Sequence, residues 1–108
     1  MDGTLERLYS VVLSRKADPQ EGSYTCYLFD KGLDKILKKV GEECAETIIA
    51  AKNGVPTDTV GEVSDLIYHL LVMLAEQGIP LEDVLAELSR RAEKIGNLKQ
   101  MKQVDKES

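Results

Sequence analysis

The chain has no tryptophan and a single phenylalanine, and four tyrosines complete its aromatic content. Its apolar mass is therefore Leu, Ile, Val and Ala, a set suited to helix packing. Two cysteines, Cys26 and Cys44, lie too far apart for a C-x-x-C metal site; both are expected to be small buried residues. The one histidine, His69, excludes sites built on paired histidines. A di-iron carboxylate bundle needs two Glu-x-x-His motifs; here Leu66 stands three residues before His69 and no second His exists. Positive charge is also short: 14 Lys and Arg face 19 Asp and Glu, for a net charge of −5. That argues against a nucleic-acid binder held by a basic surface. No run of about twenty apolar residues is present to span a membrane. The opening Met1–Asp2–Gly3 lacks a basic start, and Val11–Val12–Leu13 is too short for a signal peptide. A cytoplasmic protein with reduced thiols is expected.

What is present reads as helix throughout. Leu5, Leu8, Val11 and Val12 keep helical spacing from Thr4 to about Lys16. Asp18–Pro19 and Gly22–Ser23 mark a loop, and a short helix from Tyr24 to about Asp30 stops near Gly32. A long helix follows from Leu33 to Lys52, closed by Asn53–Gly54 with Pro56 blocking its continuation. Thr57 or Asp58 is expected to cap the next helix, which runs to Gln77 before Gly78. A last one, after Pro80, carries Leu81, Val84, Leu85 and Leu88 and fades near Lys94. No segment alternates like a strand. The expectation is an all-α bundle of four to five helices, one domain over residues 1–95 with a polar, flexible tail over 96–108. The two long central helices carry the chemistry. So small a domain leaves apolar surface exposed, so completion of the bundle by self-association is expected.

Two acidic runs interrupt those central helices: Glu42, Glu43 and Glu46 in E-E-C-A-E, then Glu62 and Asp65 in E-V-S-D. With Glu42 at zero on a helical projection, Glu46 falls at about 40° and Glu43 at about 100°, with Lys35 and Lys39 near 20° and 60°. Leu33, Leu37, Val40, Cys44, Ile48 and Ala51 gather opposite and are expected to form the buried face. In the next helix Asp65 lies about 60° and His69 about 20° from Glu62, beside a broad apolar arc of Val60, Val63, Leu66, Ile67, Leu70, Leu71, Met73 and Leu74. So wide an arc marks a central helix, and acids at its edge are partly desolvated, which is costly without compensation.

The first run also fits a solvated salt-bridge ladder, because Lys38–Glu42 and Lys39–Glu43 are i,i+4 pairs. Lys before Glu is the weaker order, at roughly 0.2–0.5 kcal/mol per pair. Glu62 and Asp65 have no Lys or Arg three or four residues away, so no such ladder accounts for them. Oxygen ligands without Cys or His partners point to a hard cation, Mg²⁺ or else Mn²⁺, and to phosphate chemistry. Lys35 and Lys39 are placed to meet further phosphates. His69, beside Glu62, reads as a substrate contact or a hydrogen-bonded neighbour of the carboxylates, with a plain structural histidine as the alternative. Tyr68 fits a base-stacking surface or a helix contact equally.

E-E-x-x-E followed by E-x-x-D resembles the signature of the all-α nucleoside-triphosphate pyrophosphohydrolases, the MazG-like and dimeric dUTPase group. The surrounding text, Ser23–Tyr24–Thr25, K-G-L-D-K-I-L-K-K-V-G-E-E from Lys31 to Glu43 and D-L-I-Y-H-L-L-V-M-L from Asp65 to Leu74, is similar to the phosphoribosyl-ATP pyrophosphatase family of histidine biosynthesis. The resemblance implies Mg²⁺-dependent hydrolysis of phosphoribosyl-ATP between its α and β phosphates, a helical bundle and a homodimer. It implies Glu42, Glu43, Glu46, Glu62 and Asp65 as metal ligands or water-activating groups without fixing which does which; the expectation adopted is Glu43, Glu46, Glu62 and Asp65 as the inner metal set, with Glu42 as an outer ligand or the base that orients water, and Glu43 shared between the two roles. It is also the reason to expect Tyr24 at the substrate. Two rival readings are a house-cleaning (d)NTP pyrophosphatase of the same group, which shares the metal chemistry, and a helical interaction module without catalysis, for which loss of Asp65 would be harmless.

Overall fold

A computed structural model describes residues 2–96 as five helices with no strand. They are α1 (Thr4–Ala17), α2 (Tyr24–Lys31), α3 (Leu33–Asn53), α4 (Pro56–Gln77) and α5 (Leu81–Gly96). The all-α reading holds. The tail expected from residue 96 lies outside the described residues, apart from Gly96, which ends α5.

Punctuation sets the connections. Ser23 caps α2, its hydroxyl accepting from the Cys26 N–H at 3.2 Å. Gly32 alone joins α2 to α3, at φ 93°, a conformation that side-chain-bearing residues rarely adopt. Gly54 ends α3 in the left-handed region. One expectation fails here: Val55, not Thr57 or Asp58, precedes α4, which begins at Pro56. Proline's fixed φ and missing donor suit the first helical position, so the residue expected to block one helix starts the next.

The core gathers Tyr9 and Val12 of α1, Leu28 of α2, Ile36 of α3, Leu71, Val72 and Ala75 of α4, and Leu81 of α5. Val12, Leu28, Ile36 and Val72 are fully buried, each worth roughly 1.5–3 kcal/mol over exposure. α1 is tied to the C-terminal end of α4 and the turn after it: the Tyr9 hydroxyl donates to the Ile79 carbonyl at 2.7 Å, and Lys16 Nζ donates to the Ala75 carbonyl at 3.0 Å and pairs with the Glu76 carboxylate at 3.5 Å. α4 is central, as its wide apolar arc predicts, but only along its C-terminal half.

The orientation of α3 departs from the sequence reading. Its buried residues are Ile36, Glu43 and Ala50, one per two turns. The expected apolar face is largely open: Leu37, Cys44, Ile48 and Ala51 are exposed, Ile48 by 69%. The face that packs on α4 is rotated by roughly 90° from the apolar stripe. Consequently a carboxylate enters the helix–helix seam while leucine and isoleucine stay outside. Cys44 is thus exposed rather than buried, and Cys26 is intermediate; both thiols are free. No helix among the described residues is long and apolar enough to cross a membrane.

Candidate metal centre

The seam between α3 and α4 sets the acidic residues. Glu43 sits on the packed row of α3, two turns from Ile36, so its carboxylate is drawn inward and left only 6% exposed. Glu62 and Asp65 come from the facing turn of α4, half-buried and exposed respectively. One carboxylate oxygen from each of Glu43, Glu62 and Asp65 lies within 4.8 Å of the other two. One residue of the first acidic run and both of the second, separate in sequence, therefore meet at one point.

Positive charge reaches that point weakly, from Lys39. Lys39 Nζ approaches Glu43 Oε1 at 3.8 Å and Glu42 Oε1 at 3.3 Å. Among the described residues Glu43 Oε2 is buried with no hydrogen-bond partner. An unpartnered buried carboxylate oxygen costs free energy unless a cation meets it. Burial first, then Glu46, Glu43, Asp65 and Asp58, push the Glu62 carboxyl above the usual carboxylate range. An all-oxygen donor set with one orphaned oxygen fits a hard divalent cation.

The other expected residues surround the triad in different ways. Glu46 is exposed and outside the 4.8 Å group, and lines the open groove beside it with Glu62 and Asp65. Glu42 is exposed and paired with Lys39, which it holds above its ordinary pKa, helped by Tyr24 and Glu43. Lys35 is partly buried, one turn before Lys39 on α3. His69 is 4% exposed, with both ring nitrogens engaged. Its Nδ1 donates to the Asp65 carbonyl at 2.7 Å, since a carbonyl only accepts. In the neutral ring Nε2 then accepts from the Tyr24 hydroxyl at 2.9 Å. Tyr24 is 45% exposed, and burial of its hydroxyl end raises its pKa against the opposing pull of Lys39. The Thr25 and Tyr68 hydroxyls pair beside it, so Tyr68 presents its ring rather than its oxygen.

Two residues escaped the sequence reading. Asp58, which the sequence offers only as a helix cap, lines the groove and adds to the field on Glu62. Thr47 bonds to the carbonyls of both Glu43 and Glu62. Its position four residues after Glu43 was the available signal, but only the rotation of α3 turns it toward α4.

Residues 5–92 match the family profile described as phosphoribosyl-ATP pyrophosphohydrolase. The chain is similar to the phosphoribosyl-ATP pyrophosphatase of Listeria monocytogenes serotype 4b, with 56% identity over 101 residues, 94% of this chain and 97% of the relative. That of Clostridium novyi shares 54% over 95 residues, 88% and 86% of the two chains. That of Pelotomaculum thermopropionicum shares 60% over 87 residues, 81% and 89%.

Proposed function

The chain belongs to the phosphoribosyl-ATP pyrophosphohydrolase family, and from that premise we propose that its Glu43–Glu62–Asp65 triad works on a phosphoanhydride. The activity is that of a phosphoribosyl-ATP pyrophosphatase: water cleaves the bond between the α and β phosphates of phosphoribosyl-ATP, giving phosphoribosyl-AMP and pyrophosphate in histidine biosynthesis. The observation that carries the site assignment is the orphaned, buried Oε2 of Glu43, a residue whose carboxylate lies within reach of two others.

Glu43, Glu62 and Asp65 would hold Mg²⁺, or Mn²⁺, with Glu46 joining from the groove. The ion supplies positive charge against the phosphate oxygens. The chain's own residues do the rest. Lys39 and Lys35 meet the remaining phosphate charge, and Lys39 is already held in its charged form by Glu42. Glu42, exposed and one residue from the triad, orients the attacking water and accepts its proton. Tyr24 offers its half-exposed ring and hydroxyl to the substrate. His69, buried behind it, acts on the substrate through Tyr24, whose hydroxyl it fixes.

The exposed stripe of α3 and Val60 and Val63 of α4 form an apolar face that the described residues leave uncovered. A second copy covers it in this reading, so the bundle is completed as a homodimer. Sedimentation should give twice the chain mass for the parent and a monomer for Ile48→Asp; a monomeric parent refutes the dimer. We also assign the reaction to the cytoplasm, where the two unpaired thiols stay reduced.

A substrate panel tests the activity. With Mg²⁺, pyrophosphate release from phosphoribosyl-ATP should exceed that from dUTP or dCTP by on the order of 10²-fold or more, because a site built around polar groups of one substrate strongly rejects another that leaves them unpaired. Faster turnover of either deoxynucleotide would make the chain a house-cleaning enzyme.

A further inference from the structure

The three triad carboxylates come from two helices, so their spacing depends on how α3 and α4 are fixed against each other at that level. Glu43 and Glu62 do not bond to each other and repel while no cation lies between them. One side chain ties their backbones together. Thr47 Oγ1, partly buried in the seam, lies 2.7 Å from the Glu43 carbonyl and 3.3 Å from the Glu62 carbonyl. The first bond is one that helical threonines commonly make to the carbonyl four residues back. The second is different: it crosses from α3 to α4 and ends on the residue that supplies another triad carboxylate. A single hydroxyl hydrogen is thus shared between the carbonyls of two triad residues. The third, Asp65, has its carbonyl held by His69 Nδ1. Every member of the triad is therefore gripped by a side-chain donor at its own backbone.

We propose that Thr47 is a positioning residue that fixes the distance between Glu43 and Glu62 across the α3–α4 seam and so sets the cation affinity of the triad. This inference rests on the metal reading given above. Thr47 contacts neither ion nor substrate. Its hydroxyl acts by holding the two carboxylates close before the cation arrives. Without it, cation binding must also overcome their mutual repulsion by closing the seam.

The test uses Thr47→Val, which keeps the branched shape and removes the hydroxyl, and Thr47→Ser, which keeps the hydroxyl. Mn²⁺ binding is read by electron paramagnetic resonance titration of the full chain, without substrate. Thr47→Val should bind Mn²⁺ roughly 10-fold more weakly, the scale of groups that orient a ligand without touching the metal. Thr47→Ser should recover most of that loss, and both should keep the parent's helical circular dichroism. In turnover, Thr47→Val should need correspondingly more Mg²⁺ for half-maximal rate while its rate at saturating Mg²⁺ stays near the parent's. Equal Mn²⁺ affinity in the parent and Thr47→Val overturns the proposal, as does a serine variant as weak as the valine one. A Thr47→Val chain that fails to fold overturns it too, because the hydroxyl would then be a folding determinant. If the parent itself binds no Mn²⁺, the metal reading fails and not only this inference.

Discussion

Replacing Glu43 with Gln should lower pyrophosphate release by on the order of 10³-fold while making the metal-free protein more stable. The two effects have one cause. Glu43 is drawn into the helix seam because Ile36 and Ala50 share its row on α3. Its Oε2 meets no donor there, and Lys39 reaches only the other oxygen, at 3.8 Å. A buried anion so poorly compensated costs stability in the absence of a cation. The neutral amide keeps the shape and removes that cost. Loss of charge stabilisation at a phosphoryl centre is worth several kcal/mol, and each 1.36 kcal/mol is tenfold in rate. Thermal unfolding in chelator and an assay in Mg²⁺ read the two effects on one preparation. A variant that melts lower and still turns over at the parent's rate would make Glu43 an ordinary structural residue.

Mg²⁺ should raise the melting temperature of the parent by roughly 10 °C or more when present at about a hundred times its dissociation constant, from about 2.7 kcal/mol of binding linkage in a domain of this size. The gain should grow with pH. The folded state holds the Glu62 proton more tightly than the unfolded chain, because burial and the four surrounding carboxylates raise its pKa from 4.5. Its contribution to stability is therefore complete below 4.5 and is lost as pH rises through the raised value. In chelator the melting temperature should fall across that window, and saturating Mg²⁺ should remove the fall. Glu87 has the opposite sign and a different window. Arg90 and then Arg91 hold its pKa down at about 2, so its contribution is present above 4.5 and lost only as pH drops toward 2. A chelated protein whose stability rises between pH 4.5 and neutrality would contradict the crowding of carboxylates around Glu62.

Helix content and connections were legible because they follow from local chemistry. Asn53–Gly54 and Gln77–Gly78 end helices through backbone conformations that glycine adopts freely, and the apolar spacing in α1 and α4 places Val12, Leu71 and neighbouring residues in the core. The facing of α3 was not legible. Periodicity identifies an apolar stripe but not its partner, and Leu37, Ile48 and Ala51 find none among the described residues. The row Ile36–Glu43–Ala50 packs on α4 because Ile36 reaches the core and Ala50 is small enough for close approach, and Glu43, between them on that row, is carried into the seam. Projection of one helix at a time could not reveal that contact. For the same reason the carboxylates looked like two clusters with different neighbours, Lys38 and Lys39 beside one and nothing beside the other. In three dimensions Glu43 turns toward Glu62 and Asp65 while keeping Lys39 at 3.8 Å from one oxygen, whereas Glu42 stays on the surface with Lys39 at 3.3 Å. Thr47 and Asp58 gain their places only from the approach of the two helices.

The most direct test of a cation-dependent triad is pyrophosphate release from phosphoribosyl-ATP by Asp65→Ala in saturating Mg²⁺. This side chain is exposed, and His69 binds the Asp65 backbone carbonyl, which the substitution leaves in place. The account predicts a helical circular dichroism spectrum matching the parent's, with Mg²⁺-dependent release lost. Release at the parent's rate from a folded Asp65→Ala chain would contradict it.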